Sequence, residues 1–166
     1  MILTGNHIVS SVENGDIVIE PFNLSQVNPN SYNYRLGKTL KKCSISKSLR
    51  HTFNSIVIPE DGFVLQPGTM YLGHTHETIG SKRYAMSLIG RSSIGRLGLF
   101  VQISANLGHT QSCHRWTLEI VATHRVRVYP HMIFGQVSFW QNKGKASEYA
   151  GTYGFINQPQ ESLVYF

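Results

Sequence analysis

The sequence predicts an all-β fold: a sandwich, jelly roll or barrel. Short stretches alternate apolar with polar residues, as half-buried strands do. Turn residues punctuate them, with Pro-Glu-Asp-Gly at 59–62 and Gln-Pro-Gly at 66–68. Beyond the first sixteen residues the local signals are those of strands, and many short strands with turns between them suit a closed or two-layered β architecture.

The one helical signal comes first. In "GNHIVSSVENGD", Ile8, Val9 and Val12 share one side at helical spacing and Gly15 can end the helix. "DIVIEPF" then alternates, and "SYNYRLG" is aromatic and closes on glycine. "SIVIPEDGFVLQPGTMYLGHT" reads as strand, turn, strand, turn, strand. "FVQISANLG", "WTLEIVAT", "RVRVYP" and "IFGQVSFW" are four further strands. From Gln141 the chain is polar, with Gly144, Gly151, Gly154 and three tyrosines, so it is either disordered or folds over something. No repeat or linker divides residues 1–166, which read as one domain with a tail over about 141–166.

Composition narrows the function. The 166 residues are 41% hydrophobic and 14% charged, which is globular and not disordered. Fifteen Lys+Arg against nine Asp+Glu give +6, a balance that suits anionic ligands. The cations are scattered, with "LKKCSISKSLRH" the only local cluster, so a nucleic-acid polymer is not the expected partner. Cys43 and Cys113 are too few for a disulfide framework and fit a reduced cytoplasm. The opening residues lack a charged region followed by an apolar one, and no stretch has membrane-span length; the expectation is a soluble, intracellular chain.

Two stretches carry chemistry. "GRSSIGRLGLF" (90–100) sets Gly90 and Gly95 beside Arg91, Ser92, Ser93 and Arg96. Glycines let a ligand approach the backbone, hydroxyls reach phosphate oxygens, and guanidinium forks match phosphate geometry. The same stretch also reads as an exposed turn with solvated arginines; it is no P-loop, for it lacks the Lys-[Ser/Thr] step. Glu119 sits among Trp116, Leu118, Ile120 and Val121. A carboxylate inside an apolar strand is costly unless paired and suits proton transfer, whereas on an alternating strand the same position can simply face outward. The histidines of "HTHE" (74–77) and "HTQSCH" (109–114) lack metal-site spacing, and the two isolated cysteines cannot supply a zinc deaminase signature.

"GRSSIGRLGL" resembles the signature loop of the dCTP deaminase branch of the dCTP deaminase/dUTPase superfamily. The likeness extends in order through "MILTGNHI", "NGDIVIEPFN", "VNPNSYNYRLG", "FVLQPGTMYLGHTHETI", "TLEI" and "MIFGQVSF". It implies a distorted jelly roll of the dUTPase type with a short N-terminal helix, assembled as a homotrimer with sites between subunits. It also implies that Arg91, Ser92, Ser93 and Arg96 bind phosphates, one arginine reaching across from a neighbour. Glu119 would shuttle protons while water attacks C4 of cytosine, that water being held by Ser92, Arg96 and the backbone around Ala105. Further substrate contacts fall on His109, Thr117, Gln136, Tyr149, Tyr153 and Gln158. No protein-bound metal is implied; Mg2+ would accompany a nucleotide triphosphate.

The chain departs from the family's pattern at three places, one being Asn33, which replaces an acidic residue in "SYNYRLG" near expected subunit contacts. His109 stands where relatives carry an aspartate that contacts the sugar and, in dUTPases, activates water. Thr152 stands where a phosphate-binding lysine is usual, and losing that cation weakens phosphate binding by about 1.5–3 kcal/mol. The first expectation is therefore deamination of dCTP to dUTP. Beside it stand a deaminase of another cytosine nucleotide or nucleoside, a dCTP/dUTP pyrophosphatase, which the missing aspartate disfavours, and a non-catalytic nucleotide-binding regulator.

Overall fold

The structure, a computed structural model, describes residues 1–46, 51–102, 106–145, 147 and 149–163. Its elements are α1 (Gly5–Glu13), β1 (Ile17–Glu20), β2 (Val27–Asn28), β3 (Ser31–Arg35), β4 (Thr39–Ile45), β5 (His51–Val57), β6 (Phe63–Leu65), β7 (Met70–His74), β8 (Thr78–Ser81) and β9 (Tyr84–Gly90). These are followed by α2 (Ser92–Arg96), β10 (Leu99–Gln102), β11 (Leu107–Gly108), β12 (Cys113–His114), β13 (Thr117–Ala122), β14 (Val126–Val128) and β15 (Ile133–Gln141). The fold is all-β with a short N-terminal helix, as the sequence predicts.

Two five-stranded antiparallel sheets dominate, in the orders β10-β13-β7-β4-β5 and β11-β9-β15-β3-β2; a three-stranded sheet, β1-β8-β12, and the pair β14-β6 complete the framework. Alternation decides which residues turn inward. On β13, Leu118, Ile120 and Ala122 are buried; on β15, Phe134, Val137 and Phe139 are. They join Tyr32, Tyr34, Tyr71, Met86 and Leu88 in one core cluster. The sequence reading found the cores of β1, β3, β6, β7, β10, β13, β14 and β15, and the second half of β5. It missed β4, β8 and β9, and it took most of β4, together with His51 of β5, for a basic cluster. Residues 47–50 of that cluster lie outside the described residues.

Helix α1 follows its expected span. It ends where Gly15, at φ +79°, takes the left-handed conformation that glycine adopts without penalty. Ile8 is fully buried, a contribution of about 1.5–3 kcal/mol for a side chain of this kind.

A buried ion pair secures the edge of β3. Glu77, fully buried, accepts from the Arg35 backbone N–H at 2.8 Å and from Arg35 Nε at 2.6 Å. Thr75 Oγ1 donates to the Glu77 carbonyl at 2.7 Å and accepts from the Trp116 N–H at 2.9 Å. The Thr-x-Glu pattern thus ties the β7–β8 turn to the residue before β13 and so sets where Thr117 and Glu119 begin.

Candidate active site

The β13 strand presents Thr117, Glu119 and Val121 on the face opposite its core residues. Glu119 is half-buried there, not enclosed in the interior. The alternating-strand reading is therefore the one the structure bears out for its orientation. Glu119 pairs with Gln102 of β10 on one side and with Leu72 of β7 on the other, and Leu72 in turn pairs with Lys41 of β4. Directly opposed residues in antiparallel strands share a face. Glu119, Leu72 and Lys41 therefore form one row, with the Glu119 and Lys41 backbones two strand spacings, about 10 Å, apart.

The C-terminal tail crosses this face. The Arg115 N–H donates to Asn157 Oδ1 at 3.0 Å, the Gln160 N–H donates to Thr117 Oγ1 at 3.3 Å, and Lys41 Nζ pairs with the Glu161 carboxylate. The ammonium's hydrogen bond holds the Glu161 carboxyl below the usual carboxylate range. Of the two alternatives for the tail, the structure supports folding over something for residues 157–161.

The arginine-bearing stretch forms a short helical turn, α2, where the sequence suggested a loop. Ile94 is buried and anchors it, while Ser92, Ser93 and Arg96 are exposed and Arg91 is half-buried. Neither arginine is paired with a carboxylate among the described residues. Gly98 is required by packing: its φ is +75°, and a Cβ would overlap Thr123 Oγ1 and the His124 ring. Gly95 is not, since a Cβ there meets nothing within 4 Å.

Within one chain, α2 joins β10 at an offset from the acid. Leu99 of β10 pairs with Ala122, so the turn enters three residues, about 10 Å, along the strand from Glu119. Between them the same face carries an apolar shelf: Phe100 is 49% exposed, and Val121, its partner in register, is 38% exposed.

His109 and Tyr149 do meet. Their rings stack with centroids 4.7 Å apart and planes at 20°. They line a cavity of about 350 Å³ with Ala85, Leu107, Thr110, Asn142 and Ser147. Asn142 Nδ2 donates to Thr110 Oγ1 at 2.7 Å and holds this wall to the start of the tail.

The remaining expected contacts are spread out. Gln136, on β15, accepts from Ser31 Oγ at 2.9 Å. Tyr153 Oη accepts from the Leu163 N–H at 3.0 Å, and Gln158 is exposed. Ala105 lies outside the described residues.

The histidines take other positions. His74 is buried with Nδ1 2.8 Å from the Thr75 carbonyl, the His76 ring packs at a tilt against His131, and the His114 ring packs at a tilt against Trp116. Among the described residues, no group of three or more His, Cys, Asp or Glu is placed to hold a metal ion. No helix among them is long and apolar enough to cross a membrane.

Sequence reasoning missed Lys41, Asn142, Gln160 and Glu161. Lys41 was visible only as one cation of a cluster. Its partner is 120 residues away in a polar tail, where no local pattern marks it.

Comparison with known proteins bears on this arrangement. The dCTP deaminase-like family model matches residues 2–142. A relative from Cytophaga hutchinsonii, named "dCTP deaminase, dUMP-forming", is 42% identical over 99% of this chain and 97% of its own length. A relative from Rhodopirellula baltica, named "dCTP deaminase", is 39% identical over 99% of this chain and 85% of its own. The crystal structure of 2'-deoxycytidine 5'-triphosphate deaminase from Agrobacterium tumefaciens superposes with a TM-score of 0.70 at 21% identity. It covers 85% of this chain, which spans about half (48%) of that one.

Proposed function

Because the chain belongs to the dCTP deaminase-like family, we propose that it hydrolyses the 4-amino group of a cytosine deoxynucleotide, most simply dCTP, releasing ammonia. The observation that carries this reading is the placement of Glu119: a half-buried carboxylate on an open sheet face, bounded by Thr117 and the tail. An acid so placed can take a proton from water as the water adds to C4, and return it to the departing amine. Water supplies the oxygen, the C4–N bond breaks, and the ring becomes uracil.

Arg91 and Arg96, unpaired with carboxylates among the described residues, suit the phosphates, with Ser92 and Ser93 alongside. Ser92 and Arg96 also hold the attacking water, with the backbone near Ala105. His109, Gln136, Tyr149, Tyr153 and Gln158 complete the contacts. Mg2+ accompanies the triphosphate as part of the substrate.

The distance of about 10 Å along β10 between the α2 end and Glu119 favours a homotrimer in which a neighbour's α2 meets this chain's acid. The exposed Phe100 and Val121 and the open space at Gly95 are in keeping with such a contact. Unpaired thiols at Cys43 and Cys113 suit a reducing compartment, and the working compartment we propose is the cytoplasm.

A second reading concerns the product. The names of several relatives favour dUMP, which requires loss of pyrophosphate as well as ammonia; the histidine at 109 favours release of dUTP. Incubating the protein with dCTP and measuring ammonia and pyrophosphate separately tests both. Ammonia alone supports dUTP formation, ammonia with pyrophosphate supports dUMP, and the absence of ammonia rejects deamination.

A further inference from the structure

The structure ties the end of the chain to a cation on the acid's own sheet face. Residues 157–161 run from Arg115 past Thr117 to Lys41, fastened at each of the three. Gln160 Nε2 donates to the Glu161 carbonyl at 3.1 Å, which stiffens the segment as it reaches Lys41. Pro159 is buried. Leu72 and His74 belong to the same outer face and retain only 5% and 4% exposure, with the His74 ring packed against Gly37. Along β13 in the other direction, Val121 and Phe100 remain exposed among the described residues. The segment therefore forms a wall on one side of the acid's face.

We propose that Lys41 and Glu161 are positioning residues: their ion pair latches residues 157–161 as one wall of the acid's face, in the form that receives the nucleotide. Neither touches the reacting atoms. Lys41 is held by the sheet register of β4 against β7, so it offers a fixed anchor. Glu161 lies beyond residues 2–142, the span matched by the family model. Both side chains are partly covered, at 21% and 30% exposure. The expected effect is that of a partly screened pair, a three- to fivefold change in an equilibrium. Without the latch the wall must be ordered when the nucleotide binds, so the loss falls on binding and not on the chemical step.

This assignment rests on the deaminase reading of Glu119, and the test separates the two. In the full chain, hydrogen exchange of residues 157–163 is followed together with ammonia release from dCTP, for Lys41→Glu, Glu161→Lys, the double exchange, and Glu161→Gln as the shape-preserving variant. The latch predicts faster exchange of that segment in each single variant. It also predicts a three- to fivefold higher KM with kcat within twofold, and return of both readouts towards wild type in the double exchange. Unchanged exchange and KM in Glu161→Gln, or a double exchange that restores neither, overturns it. If the wild type releases no ammonia, the deaminase reading fails while the exchange measurements still decide the latch.

Discussion

His76 and His131 lie ring against ring, centroids 3.9 Å apart, at the corner where the β7–β8 turn meets the turn entering β15. Both backbones grip the end of β3: the His76 N–H donates to the Arg35 carbonyl at 2.7 Å and the His131 N–H to the Leu36 carbonyl at 2.9 Å. Nε2 of His131 is buried without a hydrogen-bond partner among the described residues. Burial lowers the proton affinity of both rings. His76 is lowered further by the charges of His131, Arg35 and Arg115, and His131 by Lys38 and Arg35. Glu77 partly offsets this for both, and Glu60 also does so for His131.

A histidine with a lowered folded pKa leaves the unfolded chain binding more protons, so stability falls as the pH drops from about 6.5 through the folded value. His74 and His114, also lowered by burial, add to the trend. The thermal midpoint should therefore be lower at pH 5.5 than at pH 7.5, and His76→Gln should shrink that difference. Identical pH profiles for variant and wild type would remove the pair from the explanation.

Gly135 and Gly95 should respond in opposite ways to alanine. A Cβ at Gly135 would overlap the Tyr34 ring, whose hydroxyl donates to the Ile89 carbonyl at 3.2 Å. Gly135→Ala should cost about 1–3 kcal/mol through overpacking, measured by urea unfolding. Gly95 lies in a helical turn with open space beside it, so Gly95→Ala should leave the chain's stability equal or higher by about 0.5–1 kcal/mol. If a neighbour or ligand approaches there, activity should fall although folding does not.

Arg91 and Arg96 should matter in proportion to the charge on the ligand. Alanine at either removes a charge-assisted contact of about 1.5–3 kcal/mol, which corresponds to a KM for dCTP at least tenfold higher. Unphosphorylated deoxycytidine, assayed in parallel, should bind equally to variant and wild type. An equal loss for both ligands would place the arginines away from the phosphates.

The His109–Tyr149 stack should be felt in binding. His109→Ala removes an aromatic contact of about 0.5–1.5 kcal/mol, a two- to tenfold rise in nucleotide Kd by calorimetry. His109→Phe, which keeps a ring, should recover most of it. A loss as large in the phenylalanine variant would assign His109 a polar role.

These expectations show what local pattern reveals and what it hides. The period-2 pattern of Thr117 to Ala122 was legible because each inward position is apolar, but it left Glu119 readable either as an enclosed carboxylate or as an outward-facing one, and only the strand's burial pattern decides for the outer face. β4 was not legible: Lys41, Lys42 and Ser44 lie among its residues, and its strand character comes from pairing with β5 and β7. The signature stretch was legible as chemistry but not as conformation, because a five-residue helical turn leaves too few positions for a periodic signal. The wall formed by residues 157–161 was invisible, since its contacts with Lys41, Arg115 and Thr117 span 42 to 120 residues.

The most direct test is ammonia release from dCTP by wild type and Glu119→Gln, with nucleotide binding measured on the same samples. The account predicts ammonia from the wild type and at least a hundredfold slower release from the variant, in the range lost with a general acid–base group, while Kd changes by less than about threefold. A variant that still releases ammonia near the wild-type rate, or that loses binding together with turnover, would contradict the role given to Glu119.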